Sequence, residues 1–186
     1  MAKKQQPAQV MLGPVPAALI GCGNAEEQNI ITLAWVGVVN SSPPMVSIAV
    51  RPNRHSHRLI EESAEFTVNL PLADQVEIVD GCGTLSGKGL DKFAKYNLTP
   101  VKGTLLHAPF IEECPISMDC KVEKQISLGS HDLFIGRIIA SYVAEEFLDT
   151  KGKIAFGRFN LLGFSAGSYL QAASLDLSIG YTVKEK

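Results

Sequence analysis

Between Asn29 and Ser56 the chain sets amides, hydroxyls and guanidiniums at the edges of two apolar runs. Asn29, Thr32 and Trp35 lead, Asn40 and Ser41 sit at a Ser-Ser-Pro-Pro turn, and Arg51, Arg54 and Ser56 close the stretch. Guanidinium forks and hydroxyls suit a phosphate, and a helix starting near residue 53 would add free N–H groups and its dipole. Trp35, the one tryptophan, stands beside the small residues Ala34 and Gly37. A flat apolar surface with room next to it suits a planar ligand, and equally suits core filling. The chemistry these types point to is the holding of a phosphorylated aromatic molecule. Lys92 can supply a further cation, and Phe164 a further ring.

Other constellations carry less. In GCGTLSGKG the Lys is followed by Gly89, not by the Ser or Thr of a phosphate-binding P-loop. GCGNAE has Glu26 where a dinucleotide-binding turn needs its third glycine. Both loops can still offer backbone N–H groups to a phosphate. Gly163-Phe164-Ser165-Ala166-Gly167 has the spacing of a serine-hydrolase elbow, but nothing else specific in the sequence points to a Ser–His–Asp enzyme. Cys22, Cys82, Cys114 and Cys120 form no CxxC pair and lack a nearby histidine at ligand spacing, so no metal site is expected. Buried, reduced thiols are the expectation.

The net charge of -2, with 17 basic and 19 acidic residues dispersed along the chain, argues against nucleic-acid binding. With 46% apolar and 19% charged residues the composition is globular. Leu19-Ile20-Gly21-Cys22 has the form of a lipoprotein cleavage box, but Pro14 and Pro16 suit a strand entry better than a signal helix. No apolar run reaches the ~20 residues of a membrane span. A cytoplasmic protein of one domain, residues 1–186, with residues 1–8 loose, is expected.

The elements that must position these residues are mostly strands. Strands are expected at 17–21, 29–39, 45–50, 65–70, through two long arms within 116–147, and at 154–164 and 177–183. Residues 40–44 read as a breaker that forbids pairing, because of Pro43 and Pro44. Met45–Val50 lacks polar alternation, which suits a strand buried on both faces or at a subunit contact. Met118, Cys120 and Val122 alternate with Asp119, Lys121 and Glu123, the pattern of a half-exposed antiparallel strand. Helices are expected at 53–62 with Asn53 as N-cap, at 71–79 and at 90–96, with a glycine-rich loop at 81–89 and an irregular connection over 97–113. Strands without regular alternation with helices suit a barrel.

NxxTxAW, NSSPP, RPNRHSH, GTLSGKGLDKFA and GSHDLFIG occur in that order. This set resembles the flavin reductase-like family with the FMN-binding split barrel, and within it the flavoredoxins. The resemblance implies a mainly β fold, a six-stranded antiparallel split barrel with short helices. It also implies a homodimer with one FMN per subunit near the interface. Asn29, Trp35, Ser56, Lys92, His131 and Phe164 match flavin-contacting positions, and Ser86 falls in the SGKG segment. Ser56 stands where the family often has Thr, and Lys88 where Arg is common. The implied function is electron transfer by a flavoredoxin-like carrier working with redox partner proteins. NAD(P)H-dependent flavin reduction and a non-redox flavin-binding module are the alternatives.

Overall fold

The computed structural model describes residues 1–175, 177 and 179–183. Its strands are β1 (Val15–Pro16), β2 (Ala18–Gly23), β3 (Gln28–Leu33), β4 (Val36–Ser41), β5 (Pro44–Val50), β6 (Glu65–Leu70), β7 (Pro100–Val101), β8 (Phe110–Ile111), β9 (Ile116–Ser127), β10 (Asp132–Val143), β11 (Leu162–Ser165) and β12 (Ser168–Gln171). The helices are α1 (His55–Ser63), α2 (Val76–Thr84) and α3 (Lys92–Tyr96).

Seven strands form one antiparallel sheet in the order β3-β2-β6-β9-β10-β5-β4. β3 and β4 lie at opposite ends of that order, yet only Ala34 and Trp35 separate them in the chain. The two ends must therefore meet, and the Trp35 carbonyl, accepting from the Ala49 N–H at 3.0 Å, carries the β4–β5 ladder into that corner. With β3 and β4 counted as one bent strand, the seven become the six strands of a split barrel. β1, β11 and β12 make a small separate sheet.

Two apolar clusters cover the two faces. Ala18, Ile20, Val46, Ile48, Phe66, Val68 and Phe134 form the inner one, with Leu59 and Ile60 of α1 packed in. Ala17, Leu19, Ile30, Val79, Cys82, Phe93 and Leu162 form the outer one, between β2–β3 and α2, α3 and β11. The alternation of a strand puts Leu19 on one face and Ile20 on the other, so β2 is buried throughout. Buried carboxylates fix the 102–109 connection: Glu65 accepts from Leu106 and His107 N–H groups, and Asp119 from the Thr104 N–H and the Tyr142 hydroxyl.

Several expectations need correction. The strand expected over 29–39 is broken at Ala34-Trp35, because the chain turns a corner there to close the barrel. Residues 40–44 do pair: Ser41 registers with Pro44 in the β4–β5 hairpin, where an edge position tolerates proline. On β5, Val46, Ile48 and Val50 are buried while Met45, Ser47 and Ala49 are partly open, so of the two alternatives for this strand it is burial on both faces that is overturned. Asn53 is not the helix cap; an Arg51–Arg54 turn, closed by the Arg54 N–H on the Arg51 carbonyl, delays α1 and puts Arg54 at the cap. Gly81 to Thr84 belong to α2 and not to a loop, since Val79 and Cys82 pack on the outer cluster and override the low propensity of glycine. Asp119 is buried, not outward, its charge held by donors from the connection. Over 154–164 only Leu162 onward is strand, because Phe147, Phe156 and Phe159 gather into a ring cluster instead of a ladder. Of the strand expected over 177–183, residues 179–183 form a turn and residue 178 lies outside the described residues, as do 184–186.

All four cysteines are free and buried. Burial pushes the Cys22 and Cys120 thiols up to about 12 and the Cys82 thiol to about 11. Since the thiolate is the nucleophile, iodoacetamide at pH 8 should leave the folded protein unmodified and alkylate all four only after denaturation, as read by mass spectrometry.

His57 Nε2 meets Asp132 Oδ2 at 2.8 Å between α1 and β10. The bond to His57, with help from Ser127, holds the Asp132 carboxyl below its ordinary value. A lowered carboxylate pKa gives stability that is full above about pH 4 and is lost as pH falls through the folded value. Asp132→Asn should therefore lower Tm at pH 7, and the gap to the parent should close toward pH 3 in a thermal-melt series.

No helix among the described residues is long and apolar enough to cross a membrane.

Candidate functional site

The site is built where β3, α1 and α3 meet. Asn29, near the start of β3, is buried, and its Nδ2 donates to Ser56 Oγ at 2.8 Å. Its Oδ1 is buried and, among the described residues, has no partner. Ser56 lies in the first turn of α1, where the His57 N–H is taken by the Arg54 carbonyl and the N–H groups before it lie beyond the reach of an intrahelical acceptor. Arg54 caps that turn and stays exposed.

Lys92 opens α3, which Asp91 caps by accepting from the Ala94 N–H. Its side chain is buried, and Nζ donates to the Ile30 and Cys82 carbonyls, each at 2.8 Å. Among the described residues no carboxylate forms an ion pair with it. Desolvation lowers the Lys92 pKa and Arg54 adds to that, while the nearby thiols of Cys82 and Cys22 oppose it. A buried ammonium with a spare N–H and no counter-ion is poised for an anion.

Asn29, Asn53, Arg54, His55, Ser56, Ser86, Gly87 and Lys92 line one cavity of about 200 Å³. Gly87 is required there: a Cβ at that position would strike the Asn29 amide. Thus Asn29, Arg54, Ser56, Ser86 and Lys92 come together, as a polar cradle rich in donors.

A second group forms at the other end of β3. Trp35 is 46% exposed, and its ring lies 4.3 Å from that of His131 at a 37° tilt. Ser130 Oγ lies 2.9 Å from His131 Nδ1. Burial and then the Arg51 guanidinium lower the His131 pKa, favouring the neutral ring near pH 7. An apolar cavity of about 350 Å³ opens beside Trp35, lined by Leu12, Ala34, Val36, Ala49 and Leu133 among others. Five residues lie between Asn29 and Trp35, four of them in β3 and the last in the corner that follows it. β3 and the corner after it thus separate the polar cradle from the aromatic pair, each with its own cavity.

The remaining expected residues are placed elsewhere. Thr32 donates to the Val79 carbonyl and pins β3 to α2. Asn40 Nδ2 bonds the Pro43 carbonyl within the hairpin turn, and Ser41 ends β4 there. Phe164 is half-buried on β11, edge-on to Tyr169 at 5.6 Å and packed against the outer cluster. The sequence reading did not single out Asn53, His55 and Gly87 as site residues. They lie inside RPNRHSH and LSGKG, so their motifs were visible but their convergence on Asn29 was not.

The model of the flavin reductase like domain matches residues 11–170. The flavoredoxin of Desulfovibrio vulgaris (Miyazaki F) superposes with a TM-score of 0.91 at 30% identity, covering 98% of this chain and 100% of that one. An uncharacterised protein of Archaeoglobus fulgidus is 34% identical over 145 residues, 78% of this chain and 81% of its own length. An NADH-dependent FMN reductase of Streptomyces nodosus subsp. asukaensis is 24% identical over 132 residues, 71% of this chain and 70% of its own.

Proposed function

The chain belongs to the flavin reductase-like family, and from that premise we propose that it binds FMN and transfers electrons as a flavoredoxin-like carrier. The observation that carries the reading is the buried Lys92 ammonium without a carboxylate partner, beside the unpartnered Asn29 Oδ1. A phosphate carries about -1.5 to -2 charges at neutral pH. Lys92, Arg54, the Ser56 hydroxyl and the first turn of α1 offer it charge and donors together. The unpartnered Asn29 oxygen can accept from a hydroxyl of the attached chain. The donor set therefore fits FMN.

Bound FMN would supply the one- and two-electron redox chemistry. The residues bind and orient it. The cradle holds the phosphate end, and the Trp35–His131 pair with its apolar cavity offers the ring an apolar wall. The neutral His131 ring near this wall can hydrogen-bond the flavin's polar edge. His131→Ala should lower the midpoint potential or weaken FMN binding; parent values for both would remove His131 from the site.

A second reading, direct reduction by a nicotinamide, draws on the similarity to an NADH-dependent FMN reductase. Anaerobic titration of the purified holoprotein separates the two. For a carrier, dithionite bleaches the flavin absorbance while stoichiometric NADH and NADPH do not; rapid bleaching by either nicotinamide establishes the reductase reading.

We also propose a homodimer. Trp35, Val38 and Val39 at the β4 edge are 46%, 82% and 47% exposed, next to the apolar cavity, and such an apolar strip is what a subunit contact covers. Sedimentation equilibrium should return twice the chain mass, and the chain mass itself would rule the dimer out.

A further inference from the structure

After β12 the chain is tied to the fold at Ala172, whose N–H donates to the Leu161 carbonyl at 2.9 Å. Beyond it, residues 174–183 read SLDLSIGYTV. Leu175, Leu177, Ile179, Tyr181 and Val183 recur at every second residue, alternating with Asp176, Ser178, Gly180 and Thr182. That is the period of a strand with one apolar face. Yet each of the five is more than half exposed. Residues 179–183 stand as a turn, closed by the Val183 N–H on the Gly180 carbonyl at 3.0 Å. Exposed apolar surface of this extent marks a contact, and its own chain does not supply one.

The β4 edge presents a matching surface. β4 ends the seven-stranded order and, among the described residues, pairs only with β5. The register with β5 shifts between Val38 and Asn40, so Val39 has no residue across from it. Val38 and Val39 are both exposed. No residue of β4 is charged, and residues 174–183 carry only Asp176. Neither surface is built to choose a charged partner.

We infer that residues 175–183 are an arm that docks on a second copy of this chain, extended along its β4 edge with the apolar side chains over Val38 and Val39. The inference rests on the homodimer reading above and names the surfaces that meet. The occupant is a second copy because every copy carries both surfaces, so a two-fold exchange covers both arms and both edges and then closes. Burying a side chain of Val or Leu size removes on the order of 60–120 Å² from water. Over the five arm residues with Val38 and Val39 that is about 400–800 Å² per copy, the scale of one side of a standard interface. Extension opens the turn at Gly180, and the free N–H and C=O groups of the β4 edge can replace the bond it loses.

The test is sedimentation equilibrium of the full chain and of two variants, Leu177→Asp with Ile179→Asp in the arm, and Val38→Asp on the edge. The parent should run at twice the chain mass. Each variant alone should associate about 100-fold more weakly or worse, because a carboxylate is buried without a partner in both contacts of the pair. Mixed in equal amounts, the two variants should associate more tightly than either does alone, since the intact arm of the Val38→Asp copy meets the intact edge of the other. Misfolded copies cannot give that rescue, and neither can an arm that folds back on its own chain. In a parallel mixture, Val38→Cys copies and Leu177→Cys copies should oxidise to a covalent pair on a non-reducing gel; the four native thiols are buried. Parent and both variants at twice the chain mass overturn the arm and leave the homodimer reading standing. Variants that dissociate and show no rescue on mixing also overturn the arm. A parent at the chain mass overturns the arm and the homodimer together.

Discussion

Replacing Lys92 with methionine is expected to cost the protein its flavin, with FMN affinity falling about 30-fold or more. Removing one partner of a buried, hydrogen-bonded charge pair costs about 2–5 kcal/mol, and each 1.4 kcal/mol is tenfold. Methionine keeps the length and much of the volume of the stem but leaves the phosphate facing Arg54 and Ser56 alone. The apoprotein should respond differently. It loses two hydrogen bonds to the Ile30 and Cys82 carbonyls, yet it is relieved of a buried ammonium without a counter-ion. The pH dependence carries the signature. The folded state holds the Lys92 pKa below its ordinary 10.5, so between the folded and unfolded values the unfolded chain binds more protons. Parent apoprotein should therefore gain stability as pH rises toward 10.5, and the Lys92→Met apoprotein should lack that gain. Flavin titration and apoprotein melts from pH 7.5 to 10 check both halves.

The largest effect on stability is expected at Phe66. This ring is fully buried in the inner cluster, and Gly136 on β10 leaves it its space, since a Cβ there would strike the ring. Phe66→Ala removes a large side chain from a site walled by sheet that cannot collapse around it, at a cost of about 3–5 kcal/mol. At about 2–4 °C per kcal/mol for a chain of this size, Tm should fall by roughly 6–20 °C in calorimetry. The loss reaches the site, because Ile31 on β3 and Leu59 and Ile60 on α1 pack in the same cluster. Saturating FMN should recover part of the lost Tm, as any ligand of the folded state alone does.

Local pattern and physical chemistry made some of this architecture legible in the sequence. The EFTVNL run is the strand Glu65–Leu70 as its alternation indicates, and the long hairpin of β9 and β10 is as clear. The corner at Ala34-Trp35 was not legible, because it exists to join the ends of a closing sheet, and no property of those two residues demands it. Asp119 misled for a related reason: period-two alternation places it outward, but the 102–109 connection folds over it and supplies donors. Within the site, the phosphate-binding types of Arg54, Ser56 and Lys92 were readable as chemistry. That Lys92 spends two of its N–H groups on backbone carbonyls, and that Asn29 binds Ser56 and leaves an oxygen free, depends on distances no spacing encodes. His55 stood in plain sight inside RPNRHSH, but its partner Glu27 lies on another turn, 28 residues away in the chain.

The central claim is that the Asn29–Arg54–Ser56–Lys92 cradle holds the phosphate of FMN while the ring lies against Trp35. Because Trp35 is the only tryptophan, its emission reports the ring end of the site directly. Titration of the apoprotein with FMN and with riboflavin, following that emission, measures both ends at once. The expected result is quenching by both ligands, with FMN binding about 100-fold more tightly for its charge-assisted phosphate bonds. Equal affinities, or tight FMN binding that leaves Trp35 emission unchanged, would contradict it.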